Sequence, residues 1–365
     1  MTYLDHGATS FPKPEPVCRA VGEAMAVCAN PGRGSHAPAR AGAEVLFGCR
    51  EAAGELFRVD PEQVVLTSSC THGLNIAIRS LVRPGSRVVI SGFEHNAVTR
   101  PLHGLRARVT AAGRRLFDRE DTLRSFVRAL DRGADCAVFT QVSNVFGYRL
   151  PAEEMADECR KRGVPFILDA AQSAGAVDLD LSALGADFVA MPGHKGLLGP
   201  MGTGLLLCGR LPKPLLMGGT GSESENQAMP DFLPDRAEPG TLNVPGFAGL
   251  EAGIRLVLAE GPENIGKREA ALAAYTAREL GKLGYEVFSG PDQLGTVSFR
   301  GKGDCQTTAD RLAEQGIALR AGLHCAPLAH KTAGTLKTGT VRASFGWDSG
   351  WEDAKALVEA LKEEA

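Results

Sequence analysis

The chain has 365 residues, of which 44% are hydrophobic and 23% charged, a balance that builds two or three buried cores without a metal or disulfide staple. A formal net charge of -3 offers no global attraction for nucleic acid or an anionic membrane, so neither is an expected partner, although a local basic pocket can still hold a small anion. The opening MTYLDHGATS shows neither a basic leader nor an apolar core, and no run reaches the roughly 18 apolar residues of a membrane span, which points to a cytoplasmic protein.

In chain order, residues 13–28 and 38–57 read as helices, separated by the glycine-rich NPGRGSH at 30–36. Short apolar runs then recur: QVVLTS (63–68), RVVISG (87–92), CAVFTQVS (136–143), PFILDAAQ (165–172) and DFVAMPG (187–193). Helical stretches at 71–82, 95–105, 119–132 and 151–162 fit between them. The alternation predicts an α/β fold, a mostly parallel sheet covered on both faces. A polar stretch rich in Gly, Ser and Pro at 218–246 leads to a helix at 247–260. From 262 the rhythm changes: a helix at 263–283, strand-like YEVFS and TVSFR, a helix at 305–315, strand-like IALRAG and TVRASFG (340–346), and a last helix at 351–363.

In an open sheet of this kind ligands gather beyond the carboxyl ends of the strands. Asn144, Asp169, Gln172, His194 and Lys195 all follow apolar runs. Lys195 sits in MPGHKGLLGPMGTG, where glycines let backbone approach its amine closely; a Schiff-base amine and a solvated loop lysine are the competing readings. His194 either donates to an anion or caps the turn. Asp169, 26 residues before Lys195, either keeps a pyridine nitrogen protonated or caps a helix. In SCTHGLN (69–75), the helix-start amides and the Thr71 hydroxyl form a phosphate cup, unless Ser69 or Thr71 is simply an N-cap. His95 either stacks on a flat ring or begins a helix.

Arg342, in GTVRASFG, has the fork to hold a carboxylate or is an ordinary edge-strand arginine. The nine cysteines include no CxxC pair and no zinc-ligand spacing; no metal site is expected, and most thiols should be reduced and buried. Cys325, in RAGLHCAP, is bracketed by glycine and proline and reads either as a loop nucleophile or as a small hydrophobe.

Together these segments resemble fold-type I pyridoxal-phosphate enzymes of the class V aminotransferase group, specifically cysteine desulfurases and the related selenocysteine lyases. The resemblance runs in order through YLDHGATSFPKP, NPGRGSH, VVLTSSCTHGLN, GFEHNAVTRPL, VSNVFG, LDAAQSAG, PGHKGLLGPMGTG, EPGTLNVPG, RAGLHCAP and TVRASFG. It implies a mostly parallel seven-stranded sheet in a large cofactor-binding domain (13–245), an N-terminal segment (1–12) at the active-site entrance, and a smaller α+β C-terminal domain (246–365) carrying Cys325 and Arg342.

It also implies the cofactor, pyridoxal 5'-phosphate, with Lys195 as its Schiff-base lysine, Asp169 beside the pyridine nitrogen, His95 over the ring and Gln172 at the phenolic oxygen. Cys70, Thr71 and His194 fall at the phosphate, with Thr241 of EPGT serving the neighbouring subunit of a homodimer. Asn144 and Arg342 would bind the substrate, L-cysteine, and Cys325 would take its sulfur as a persulfide for a small thiol or an acceptor protein. Selenocysteine lyase, another class V aminotransferase and a cofactor-free sulfur carrier are the alternatives.

The chain departs from the family pattern at several positions. Ser69-Cys70-Thr71-His72 replaces Gly-Thr-Thr-Glu or Gly-Ala-Thr-Glu, Pro192 replaces a serine of one subgroup, His6-Gly7 replaces Asn-Ala, and Leu323 replaces the first histidine of Gly-His-His-Cys. The short cysteine segment resembles the compact-loop branch of the family.

Overall fold

A computed structural model describes residues 1–32, 34–301 and 303–362. Arg33 of NPGRGSH, residue 363 of the expected last helix and the rest of the C-terminal end lie outside the described residues. A two-residue strand β1 (Thr2–Tyr3) precedes α1 (Glu15–Val27) and α2 (Ala37–Phe57). There follow β2 (Val64–Thr67), α3 (Cys70–Leu81), β3 (Arg87–Ser91), α4 (Asn96–Gly104), β4 (Arg108–Ala112), α5 (Arg119–Asp131) and β5 (Cys136–Thr140). The chain continues through α6 (Ala152–Lys161), β6 (Phe166–Asp169), α7 (Leu181–Leu184), β7 (Phe188–Pro192) and β8 (Gly204–Cys208).

Strands β2 to β8 form a seven-stranded sheet in the order β2-β8-β7-β6-β5-β3-β4, parallel throughout except that β8 runs antiparallel to both its neighbours. The central strands are buried on both faces, so they read as continuous apolar runs, yet period-2 geometry still sorts their side chains. Val89, Phe139, Leu168 and Val189 pack towards α2, α5, α6 and the later α8. Ile90, Val138, Ile167 and Ala190 pack towards α3 and α4. Two strands of this sheet were not anticipated. In β4 only Ala112 is buried, as suits an edge strand with no apolar run, and β8 lies directly after the glycine-rich lysine segment.

Beyond the polar stretch come α8 (Val244–Glu260), α9 (Pro262–Lys282), β9 (Glu286–Phe288), β10 (Thr296–Arg300) and α10 (Cys305–Glu314). The last elements are β11 (Ile317–Ala318), β12 (Arg320–Gly322), α11 (Pro327–Thr332), β13 (Thr340–Ser344) and α12 (Trp351–Lys362). Helix α8 starts three residues earlier than expected, with Asn243 capping it and Pro245 in its first turn, and it packs on α1 and α2. An antiparallel sheet β12-β13-β10-β9 covers a third cluster, in which Leu4 from the amino terminus meets Leu272, Phe299, Val341 and Leu357. IALRAG is two strands, not one: β11 pairs with β1, and β12 pairs with β13. Among the described residues no helix is long and apolar enough to cross a membrane.

Candidate active site

The carboxyl ends of β3, β5, β6 and β7 open into one cavity of about 390 Å³. Every site candidate named from the sequence lines it except Thr241, which is exposed in the segment before α8. Asp169 ends β6 with 2% of its surface exposed, and its Oδ1 accepts from the Ala171 N–H at 2.9 Å and from Cys70 Sγ at 3.5 Å. Burial first, and the Asp169 carboxylate second, push the Cys70 thiol well above its ordinary value, so it is an S–H donor.

Lys195 follows β7 on a turn that tolerates no side chain after it: a Cβ on Gly196 would sit 2.3 Å from the Ala174 carbonyl oxygen. Burial, and then the Arg342 cation, pull its amine down to about 8, against the opposing pull of Cys70 and Asp169. The readings left open for two other residues are now separated. Ser69 caps α3, accepting from the His72 N–H at 3.1 Å, so Thr71 is not the cap. His95 begins the helix: its Nδ1 accepts from the Ala97 N–H at 3.0 Å as the cap of α4, and its ring lines the cavity. Burial lowers its pKa, leaving a neutral imidazole with its proton on Nε2.

Beneath His95 the fully buried Glu94 ties two strand ends together, because its Oε1 accepts from Ser91 and from the Thr140 N–H at 2.9 Å. Burial raises this carboxyl to about 8.

The segment 5–13 straps the other side. The His194 carbonyl accepts from the Ser10 N–H at 2.9 Å, Thr9 Oγ1 at 3.0 Å and Lys13 Nζ at 3.0 Å, while Gln172 Nε2 donates to the Gly7 carbonyl at 2.9 Å. Arg342 is 2% exposed; its Nη2 donates to Asp5 Oδ1 at 2.6 Å and its Nη1 to the Asn144 carbonyl at 2.9 Å. A Cβ on Gly7 would lie 3.1 Å from the Arg342 Cζ, so a side chain there would crowd the guanidinium. Arg320 stands directly opposite Arg342 in the β12–β13 pair, and Asp5 Oδ2 lies 3.0 Å from Arg320 Nη2, one carboxylate answering two cations. Asp5, Lys13, Glu94 and Arg320 were not read as site residues from the sequence. The available signal was two arginines on facing strand patterns with a single acid in TYLDH.

Cys325 is exposed at the mouth of the cavity. Its segment is nevertheless fixed: the His324 carbonyl accepts from Asn144 Nδ2 at 2.7 Å, and the Cys325 carbonyl from the Asn96 N–H at 2.8 Å. His324 and Cys325 both adopt positive φ, 49° and 55°.

The family described as Aminotransferase class-V matches residues 2–357. The chain belongs to that family. A probable cysteine desulfurase of Methanothermobacter thermautotrophicus is 33% identical over 376 residues, covering 99% of this chain and 94% of the relative. The apo cysteine desulfurase of Thermococcus onnurineus superposes with a TM-score of 0.92 at 28% identity, covering 99% of this chain and 94% of that one. The S-sulfonic acid form of a cysteine desulfurase from Escherichia coli gives a TM-score of 0.86 at 27% identity, with 99% and 94% covered. Within this class-V fold the unusual Cys70 faces Asp169, and Pro192 closes β7 opposite Gly204.

Proposed function

We propose that the protein is a cysteine desulfurase: it converts L-cysteine to L-alanine and passes the sulfur to Cys325 as a persulfide, for onward transfer to a small thiol or an acceptor protein. The observation that carries this reading is an exposed thiol in the same cavity as a buried lysine of lowered pKa, a buried carboxylate and a buried arginine. A transaminase needs the last three and has no use for the first.

The reading requires pyridoxal 5'-phosphate, and the residues present fit it. His194 Nδ1 is a buried nitrogen without a partner among the described residues, the amino end of α3 and the Thr71 hydroxyl border the cavity, and Asp169 keeps its Oδ1 engaged by donors. Cys70, Thr71 and His194 would hold the phosphate, Asp169 and Gln172 the ring, His95 one ring face and Lys195 the aldehyde carbon. When bound, the cofactor supplies the electron sink that acidifies the α-hydrogen of an amino acid.

This chain's own groups do the rest. Arg342 and Asn144 orient the substrate carboxylate, and the free amine of Lys195 removes the α-proton. The Cys325 thiolate attacks the substrate sulfur, so that an S–S bond forms as the C–S bond breaks and protonation of the three-carbon remnant yields alanine. Thr241 serves the phosphate of a neighbouring subunit in a homodimer. The segment 1–12, the body 13–245 and the tail 246–365 divide the work between entrance, cofactor and nucleophile.

The test incubates the protein with pyridoxal phosphate and L-cysteine and follows alanine, sulfide and the mass of the Cys325 peptide. Alanine with a sulfur adduct on that peptide supports the reading, and alanine without one overturns the persulfide role. L-Selenocysteine and Cys325→Ala form the second arm: selenium release that survives the substitution would assign the scaffold to selenocysteine cleavage instead.

A further inference from the structure

Two imidazoles lie under the segment that carries Cys325. His324 is 8% exposed and His330 is fully buried. His330 Nδ1 is 2.7 Å from Thr335 Oγ1, His330 Nε2 is 3.5 Å from His324 Nδ1, and His324 Nε2 is 3.4 Å from the Arg320 carbonyl oxygen. The ring planes differ by 15° and the centroids lie 5.7 Å apart, so the rings meet nitrogen to nitrogen in nearly parallel planes, the arrangement of an imidazole hydrogen bond.

One proton placement satisfies all four groups. A carbonyl only accepts, so the His324 proton is on Nε2; its bare Nδ1 accepts from His330 Nε2–H, and the bare His330 Nδ1 accepts from the Thr335 hydroxyl. An added proton on His324 would set its Nδ1–H against His330 Nε2–H, whereas one on His330 would turn the Thr335 hydroxyl from donor to acceptor. Burial excludes it: it pulls His330 to about 4 and, with the Arg342 cation, drives His324 lower still.

His324 and Cys325 hold a left-handed backbone that non-glycine residues adopt only when their surroundings enforce it. The Asn144 side chain and the Asn96 N–H bind the two carbonyls, and His330 meets the His324 side chain.

We propose that His330, set by Thr335, is a positioning residue for Cys325: an uncharged hydrogen-bonded strut that fixes His324 and thereby aims the thiol into the cavity. The inference rests on Cys325 being the sulfur-accepting nucleophile. It also takes His324 out of acid–base chemistry, since both its nitrogens are engaged inside the protein, and it leaves rotation of the Cys325 side chain as the motion that carries sulfur outward.

The experiment compares the holoenzyme with His330→Leu, His330→Gln and Thr335→Val, reading amide hydrogen exchange over residues 321–327, sulfur loading of Cys325 in a single turnover, KM for L-cysteine and cofactor binding. His330→Leu should speed exchange and slow loading, each about tenfold, with KM and cofactor binding unchanged. His330→Gln, which keeps an N–H for His324 Nδ1, should recover most of both, and Thr335→Val should shift both the same way by about threefold. Unchanged exchange and loading in His330→Leu, or a glutamine variant no better than leucine, would overturn the proposal. If His330→Leu does not fold, Thr335→Val decides by the same two readings. Should the parent enzyme load no sulfur at all, the functional reading fails, while the exchange series still decides whether the strut exists.

Discussion

Lys195 and Cys325 stand at two ends of one cavity, and the protein prepares them by opposite means. Lys195 hangs from the strand ends of the seven-stranded sheet, enclosed by glycine turns, and burial brings its amine down to about 8. Cys325 sits on the small-sheet side, exposed, with its backbone tied. On the proposed function the reason lies in which form of each group reacts. Burial disfavours charge, and the reactive amine is the neutral form whereas the reactive thiol is the anion. The other cysteines show the second half of that rule: burial pushes Cys159 up to about 12 and Cys49, Cys136 and Cys208 higher still. A desolvated lysine is primed, a desolvated cysteine is silenced, and a site that needs both must bury one and expose the other.

The strongest challenge to that contrast removes each end in turn. Lys195→Ala should lower alanine formation by at least about a thousandfold and abolish the borohydride-trapped cofactor adduct. Cys325→Ala should lose sulfur loading to a similar extent yet still trap the cofactor at Lys195; a variant that loses both would show that the ends are not separable. The next effect is in pH. On the proposed function the amine captures the cofactor as its free base, so capture by the apoprotein should rise about tenfold per unit up to pH 8 and level off above it, in stopped-flow absorbance. A rise continuing towards pH 10 would mean that the amine is solvated.

The lysine end was legible in the sequence because its parts are local. Asp169 and Lys195 each terminate an apolar run, and the periodicity that marks a strand also marks where its ligand-bearing end falls. Strands β4 and β8 were missed because one is an exposed edge and the other a short leucine run beside a glycine-rich turn. The cysteine end was legible only as a residue, not as a device. Its anchor from Asn144 spans 180 positions, and the Asp5–Arg342 pair spans 337. No local pattern encodes such partners. His330, within the six-residue α11, gave no signal of its own because a lone buried histidine resembles any other until His324 and Thr335 are brought to it.

Asp5 tests whether the two ends communicate through the strap. It is the counter-charge for a buried Arg342 and an exposed Arg320 that face one another across two strands. Asp5→Ala leaves the buried guanidinium without its carboxylate and should lower stability by about 3 kcal/mol in chemical denaturation. Asp5→Asn, which retains an acceptor oxygen without the charge, should lose roughly half of that. A neutral result for Asp5→Ala would mean that Arg342 is held by the Asn144 carbonyl alone.

The smallest effect concerns charge next to the thiol. Leu323 is 38% exposed, so a histidine there would titrate near its ordinary value of about 6.5, unlike the buried His324 one residue on. Below that value an imidazolium beside Cys325 stabilises the thiolate; above it the ring is neutral and adds nothing. Leu323→His should therefore raise alkylation of Cys325 by iodoacetamide about twofold to threefold at pH 6 and leave it unchanged at pH 8.5. An equal gain at both values would trace the effect to loosened packing instead of charge, and would show that the thiol's surroundings, like those of the amine, act through burial.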